Sequence, residues 1–313
     1  MKEFELIDRL TRSLHANSSL LSGPGDDCAV LDLGMPDQVV LFKTDAVVQD
    51  VHFKISDAPE QVGHKALGRC LSDIAAMAGT PTAALVTLAL PSEFDPAYLE
   101  KLYLGMNRLA ERYDFPIAGG ETTTNPERLL ISVSLLGWAT RGRQVLRSGA
   151  KPADVIFVTG ELGGSLAGKH LEFEPRLREA RWLAQTFQIH AMIDLSDGLA
   201  GDLPHILKAS GVGAELLATA IPISIAARRA AKSSSSAKTP LLAALTDGED
   251  FELLFTTSSG NAVNLLDSWK VQFPNVRLSC IGKVTTSQGV TIRDKQGARP
   301  LTVHGYEHFA QPS

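Results

Sequence analysis

The sequence predicts an α/β protein of two domains, and three observations carry that prediction. The chain has 313 residues, about twice the usual length of one compact domain. Short apolar segments typical of strands alternate with segments whose apolar residues recur at helical spacing. A basic, turn-rich stretch between Ala139 and Asp154 interrupts this alternation. We therefore place an N-terminal domain at residues 1–142 and a C-terminal α/β domain at residues 143–313.

Each predicted element follows from its apolar spacing and from the residues that end it. The helix at 58–78 has the strongest pattern, because its apolar residues keep a 3.6-residue period and Gly79 ends it. The segment 129–138 is apolar almost throughout, which predicts a strand buried on both faces. In the first half we predict helices at 3–15, 58–78 and 96–113 and strands at 39–42, 82–90 and 129–138. In the second half we predict strands at 155–159, 191–193 and 251–257, helices at 176–187 and 198–209, and a closing pair of strands at 276–284 and 290–293.

Composition excludes several classes of function. The 30 Lys and Arg against 35 Asp and Glu give a net charge of -5, so no basic surplus is present to bind nucleic acid or an anionic membrane. The chain has no apolar run near the roughly 18 residues of a membrane span. It begins MKEFELIDRL, unlike a signal peptide, and a cytoplasmic location is expected. Cys28, Cys70 and Cys280 are too far apart to indicate a disulfide framework or a cysteine zinc site.

Acidic residues gather in four short turns, each at the end of an apolar segment. The turns are Gly25-Asp26-Asp27, Thr44-Asp45, Gly119-Gly120-Glu121-Thr122 and Asp194-Leu195-Ser196-Asp197-Gly198. Each alone is ordinary, because Asp is common in turns and helix caps. Together they supply hard oxygen ligands without His or Cys, the set that selects magnesium. Converging carboxylates repel one another, so the set indicates metal ions and the phosphates that accompany them.

Four residues have two readings that the sequence leaves open. Asp73 lies inside the apolar helix, where it either has a simple role, on an exposed polar face or in a pair with Arg69, or joins the acidic site; on its own pattern the simple role is favoured. His52 is either a polar packing residue or a functional one. Arg147, in the basic segment at the domain boundary, is either part of a solvated linker or a residue that reaches a triphosphate. Tyr306 either anchors the C-terminus or forms one wall of a pocket for a flat ring.

A glycine-rich segment in the second half partly matches a P-loop. Gly163 through Gly168-Lys169 satisfies the spacing, but His170 stands where the magnesium-binding Ser or Thr belongs. We therefore favour a glycine-rich turn that contacts phosphate through its backbone amides. The low-complexity segment 232–238 reads as a mobile surface loop.

The order of the acidic motifs resembles the thiamine-monophosphate kinase family. The resemblance extends from the first helix to the final Gly-Tyr-x-His-Phe, and it rests on seven motifs: 25–30, 44–53, 71–77, 119–122, 147–152, 194–199 and 248–252. It implies the two-domain fold shared with aminoimidazole ribonucleotide synthetase and selenophosphate synthetase. It also implies a homodimer built through the N-terminal domains, ATP bound among several Mg²⁺ ions, and in-line phosphorylation of thiamine monophosphate to thiamine diphosphate.

The resemblance assigns a role to each matching position. The implied metal ligands are Asp27, Thr44, Asp45, Asp73, Glu121, Asp194 and Asp197. The implied ATP contacts are Tyr103, Gly120, Glu121, Arg147 and Ser196. The implied thiamine-phosphate contacts are His52, Glu249 and Tyr306. Within these sets, the residues expected to carry the phosphoryl transfer are Asp45, Asp194 and Arg147.

Three positions depart from the family pattern. Glu121 stands in place of an aspartate, Lys43 in place of a small hydroxyl residue, and Gly163-Gly164-Ser165 in place of Gly-Asp-Ser. If Lys43 points inward, its ammonium replaces one metal ion; otherwise it points away from the acids. Two alternative functions follow: an enzyme of the same fold that acts on another small acceptor, and a nucleotide-binding protein with impaired catalysis.

Overall fold

Two β-sheets, each with its own helices, make up the described part of the chain. The computed structural model describes residues 3–233 and 238–306. Most of the predicted serine-rich loop, and residues 307–309 of the C-terminal motif, lie outside the described residues. Strands from 20–140 form one sheet and strands from 154–300 form the other. Mixed helices and sheets agree with the predicted fold class; the boundary between residues 142 and 143 stays a prediction.

The first sheet has six strands in the order β1-β2-β3-β6-β4-β5. These are β1 (Leu20–Ser22), β2 (Ala29–Leu31), β3 (Gln38–Val48), β4 (Thr80–Leu90), β5 (Ile117–Thr124) and β6 (Leu130–Thr140). Neighbours are antiparallel except for the parallel pair β4 and β5. Its helices are α1 (Glu3–Thr11), α2 (Pro59–Ala76) and α3 (Pro96–Arg112).

The second sheet has seven strands in the order β13-β12-β9-β11-β7-β10-β8. These are β7 (Asp154–Thr159), β8 (Ile189–Asp194), β9 (Gly213–Leu217), β10 (Leu253–Ser258), β11 (Leu278–Thr285), β12 (Gly289–Asp294) and β13 (Gly297–Pro300). Its helices are α4 (Lys169–Glu172), α5 (Leu177–Thr186), α6 (Leu199–Ser210), α7 (Ile225–Ala230), α8 (Pro240–Thr246) and α9 (Ala262–Gln272). None of the helices among the described residues is both long and apolar enough to cross a membrane.

Helix α2 is the central element, because it packs on the first sheet and also contacts α4, α5 and β8 of the second half. Its apolar positions are buried as the 3.6-residue period predicts. It lies close against α3 at Gly105, where a Cβ atom would come within 1.9 Å of the Glu60 carbonyl oxygen. A residue larger than glycine would force the two helices apart. The helix therefore holds side chains of the first half at the boundary with the second.

The first sheet leaves one face uncovered. We call the side facing α2 the inner face and the opposite side the outer face. Phe42, Leu85 and Leu136 lie on the outer face and are 46%, 51% and 41% exposed. The expectation that 129–138 is buried on both faces is therefore wrong, since β6 is covered on its inner face alone within one chain.

Three further sequence predictions differ from the structure. The predicted strand ending at Phe42 continues through Thr44 and Asp45 to Val48, and the predicted turn at Gly119–Thr122 lies within β5. Pairing with β6 and β4 overrides the turn preference of these residues. Strands β11 and β12 do not pair as the predicted closing pair, because β9 lies between them.

Candidate active site

Three buried aspartates meet where the two halves of the chain come together. Asp27 lies in the loop before β2, Asp73 in α2 and Asp194 at the end of β8. One carboxylate oxygen of each lies within 4.8 Å of the other two. Asp73 is 7% exposed and its ion pair is with a residue other than Arg69, so the reading of Asp73 as an exposed residue or as the partner of Arg69 is wrong. We call Asp27, Asp73 and Asp194 the aspartate triad.

Three side chains neutralise or orient the aspartate triad. The Lys43 ammonium points inward and lies 2.9 Å from Asp73 Oδ1. Arg147 Nη2 lies 2.7 Å from Asp27 Oδ1, and Ser72 Oγ donates a hydrogen bond to Asp194 Oδ2 at 2.6 Å. Burial would lower the pKa of Lys43, but the carboxylates of Asp73 and Asp45 outweigh it and hold that pKa above its ordinary value.

The aspartate triad has the properties of a cation site. Burial, and next the charge of Asp27, raise the pKa of Asp194 to about 6. Burial also raises the pKa of Asp73 well above its ordinary value. Asp27 Oδ2 is buried and has no hydrogen-bond partner among the described residues. An unpartnered buried carboxylate oxygen beside two like charges is stabilised by a bound cation, so these residues fit a hard divalent ion.

A second cluster of charged side chains lies beside the aspartate triad. Arg69 Nε lies 2.9 Å from Asp45 Oδ2, and Arg69 Nη1 lies 3.2 Å from Glu249 Oε1. The fully buried Lys65 ammonium lies 2.7 Å from Glu249 Oε2. Burial would raise the pKa of Glu249, but His170 and Lys65 lower it to about 2. Glu249 is therefore held as a carboxylate.

Lys65 also contacts two other segments near Glu249, at His52 and at His170. Its ammonium donates to the His52 carbonyl oxygen and lies 2.8 Å from His170 Nδ1. Glu249 and Phe251 both have left-handed backbone angles, with φ of 53° and 49°, which cost energy in residues other than glycine. The contacts of Lys65 help to hold this strained turn in place.

The predicted thiamine-phosphate residues line one cleft. His52, Glu249 and Tyr306 are brought together with Ser196 and Asp197 around a cavity of about 100 Å³. The Tyr306 amide donates to the Asp197 carbonyl oxygen at 2.9 Å. Asp194 lies two residues before Ser196, so the cleft adjoins the aspartate triad.

The remaining predicted residues lie elsewhere in the chain. Tyr103, Gly120 and Glu121 line a separate groove between α3 and β5, which shares no lining residue with the cleft. Gly120 lies so close to β4 that a Cβ atom would come within 1.7 Å of the Val86 carbonyl oxygen. Thr44 and Glu121 lie on the outer face of the first sheet, because they pair with outer-face positions of β6 and β4. Within one chain they are therefore separated from Lys43 and the inner face.

The lysine and the first two glycine amides of the P-loop-like segment bind carboxylates within the protein. Lys169 Nζ lies 2.8 Å from the buried carboxylate of Glu252. The amides of Gly163 and Gly164 donate to the carboxylates of Asp250 and Asp247. The expectation that these amides contact phosphate is therefore wrong, because they are already hydrogen-bonded within the protein.

Sequence reasoning missed Lys65, Ser72 and His170. Ser72 and Lys65 lie within the apolar pattern of α2, where a buried polar residue looks like an ordinary interruption. A signal existed for Lys65, since an ammonium at a core position requires a buried carboxylate partner. No signal in the sequence indicated which carboxylate that is.

Comparisons with known proteins show the class of protein to which the chain belongs. The family model for AIR synthase related protein, N-terminal domain, matches residues 25–139, and the model for AIR synthase related protein, C-terminal domain, matches residues 143–295. The chain therefore has both domains of the AIR synthase related proteins.

Individual relatives identify one family within this class of proteins. Thiamine-monophosphate kinase of Rhodopirellula baltica is 42% identical over 275 residues, covering 86% of this chain and 84% of the relative. That of Bacillus subtilis is 34% identical, covering 99% and 100%. The solved structure of AaThiL complexed with AMPPCP and TMP has a TM-score of 0.83 at 31% identity, covering 98% and 97%. The chain belongs to the thiamine-monophosphate kinase family, which confirms the resemblance noted in the sequence.

Proposed function

We propose that this chain transfers the γ-phosphoryl group of ATP to the phosphate of thiamine monophosphate, giving thiamine diphosphate and ADP. The observation that carries the proposal is the buried aspartate triad beside the cleft lined by His52, Glu249 and Tyr306 in a member of this kinase family. The AaThiL complex with AMPPCP, an ATP analogue, and TMP supports the same pair of substrates.

Magnesium is the cation that we propose for the aspartate triad. The donors are hard carboxylate oxygens, and Asp27 Oδ2 is available to bind it. When bound, Mg²⁺ neutralises phosphate charge. Asp27, Asp73 and Asp194 come from both halves of the chain, so a cation held by them would also fix the two halves to each other.

The protein's own part in the reaction is to bind and orient two anionic substrates. Arg147 is held at the aspartate triad by Asp27, and a guanidinium there would offset the repulsion between the acceptor phosphate and the γ-phosphate. The acceptor phosphate is already ionised at neutral pH, so no general base is required. Tyr306, Glu249 and His52 would hold the cationic thiamine ring system in the cleft.

A product assay tests this function. The chain is incubated with ATP and thiamine monophosphate, with Mg²⁺ or with EDTA, and the products are separated by chromatography. We expect thiamine diphosphate and ADP in equal amounts with Mg²⁺ and neither with EDTA. ATP turnover without thiamine diphosphate would assign a different acceptor, and nucleotide binding without turnover would assign a binding protein; each result would contradict the proposal.

Removing the aromatic wall of the cleft should weaken binding of thiamine monophosphate. Tyr306→Ala is expected to raise its KM about tenfold, because a ring facing a desolvated cation contributes roughly 0.5–2 kcal/mol. The KM for ATP should stay unchanged in steady-state kinetics. Tyr103→Ala, in the separate groove, is the matched variant and should leave the KM for thiamine monophosphate unchanged. Equal effects of the two variants on that KM would contradict the assignment of Tyr306.

A homodimer formed through the outer face of the first sheet is part of the proposal. Phe42, Leu85 and Leu136 form an exposed apolar surface there, and such surfaces usually mark contact sites. Thr44 and Glu121 share this face, so a second copy seated on it would cover them.

A charge on the outer face should separate the two copies. Leu136→Glu is expected to convert a dimer into a monomer, because it places a carboxylate in a buried apolar contact. Light scattering coupled to size-exclusion chromatography measures the mass. Val271→Glu, at an exposed position of α9, should remain dimeric. A wild-type monomer, or a dimer that survives Leu136→Glu, would contradict this interface.

A further inference from the structure

Two cationic side chains lie among the carboxylates of the active site. The Lys43 ammonium lies 2.9 Å from Asp73 Oδ1, and the Arg69 guanidinium lies 2.9 Å from Asp45 Oδ2. Lys43 is on the inner face of β3, and Arg69 is on α2. Both pairs are largely buried, so the charges are weakly screened by water.

These cations change the local charge balance. Arg147 pairs with Asp27, Arg69 with Asp45 and Glu249, and Lys43 with Asp73. Asp194 receives a hydrogen bond from the neutral Ser72 hydroxyl instead. Within the aspartate triad, the Asp194 carboxylate and the unpartnered Asp27 Oδ2 are therefore left to bind a metal ion.

We propose that the Lys43 ammonium takes the place of one divalent ion at Asp73, so that this chain binds one divalent ion fewer than it would with a small residue at position 43. The inference rests on the proposed function for the identity of the bound phosphates. Asp73 Oδ1, the oxygen that a metal ion at Asp73 would bind, is within hydrogen-bond distance of the Lys43 ammonium. A cation tethered at that oxygen excludes a second cation by repulsion. The remaining divalent ion is held by Asp27 and Asp194.

Counting bound Mn²⁺ tests this inference without measuring turnover. Free Mn²⁺ is measured by electron paramagnetic resonance during titration of the chain saturated with AMPPCP. Lys43→Ser is expected to bind one more Mn²⁺ per chain than the wild type, because it frees Asp73 and restores a hydroxyl. Lys43→Met frees Asp73 without adding a ligand and should also gain one ion, bound more weakly. Lys43→Arg keeps the charge and should bind the wild-type number.

The outcomes separate this inference from the proposed function. If Lys43→Ser and Lys43→Met both bind the wild-type number of Mn²⁺, the inference is overturned even where the wild type makes thiamine diphosphate. If they gain an ion and the wild type makes no thiamine diphosphate, the replacement of a metal ion by Lys43 stands and the kinase assignment fails. If Lys43→Ser does not fold, the count for Lys43→Met decides.

Discussion

Asp194→Asn should lower kcat for thiamine diphosphate formation by about 10²–10³-fold. The change removes the charge of Asp194, whose carboxylate forms no ion pair with a cationic side chain in the described part of the chain, while the Ser72 hydroxyl can still hydrogen-bond to the amide oxygen. The fold should therefore persist. Steady-state kinetics at saturating ATP and thiamine monophosphate measure the loss, and circular dichroism checks the fold.

The matched control for this variant is Asp154→Asn. Asp154 is also buried, begins β7 in the same sheet, and bonds to His190 at 2.7 Å, away from the aspartate triad. Its replacement should leave kcat within a factor of about two, since no charge at the site changes. If Asp194→Asn keeps more than a tenth of wild-type kcat, the aspartate triad is not the centre of the reaction.

Glu252→Gln should lower the free energy of unfolding by about 3–5 kcal/mol. Glu252 is almost completely buried, and its carboxylate binds Lys169 at 2.8 Å, Arg176 at 2.7 Å and the Thr159 hydroxyl at 2.8 Å. The neutral amide leaves two cations without their shared carboxylate. Urea denaturation measures the loss, and Asp267→Asn, in an exposed pair with Lys270, should leave the midpoint unchanged.

The effect of Glu252→Gln should also depend on pH. Burial would raise the pKa of Glu252, but Lys169 and Arg176 lower it to about 2. A carboxylate with a lowered pKa contributes its stability above the ordinary pKa of 4.5, and that stability is lost as pH falls toward 2. The difference between wild type and variant should therefore shrink over that interval. A difference that is constant or grows on acidification would show that the ion pairs do not stabilise the fold.

The sequence predicts the layout of the fold well where one pattern dominates. The buried helix α2 and strand β4 follow from clear periodicity and a glycine stop. Strand β5 could not be found in this way, because Gly119, Gly120 and Thr122 favour turns by themselves. Its pairing with β4, a contact between residues distant in sequence, decides its conformation.

The sequence predicts which acidic residues form the candidate site, but it does not predict how the side chains of the site are arranged. The motifs singled out Asp27, Asp73 and Asp194, and the structure brings these together. The direction of Lys43 stayed open because the predicted strand ended at Phe42. Once β3 extends to Val48, the two-residue alternation of a strand places Lys43 and Asp45 on one face and Thr44 on the other. The length of a strand in the sheet thus determined which of these side chains reach the acids.

The position of a bound metal ion tests the central claim most directly. Crystals of the full chain grown with AMPPCP and Mn²⁺ would give anomalous scattering from the metal. We predict an anomalous peak in contact with Asp27 and Asp194, with the Lys43 ammonium still paired to Asp73. Strong anomalous density elsewhere, with none at the aspartate triad, would contradict the account.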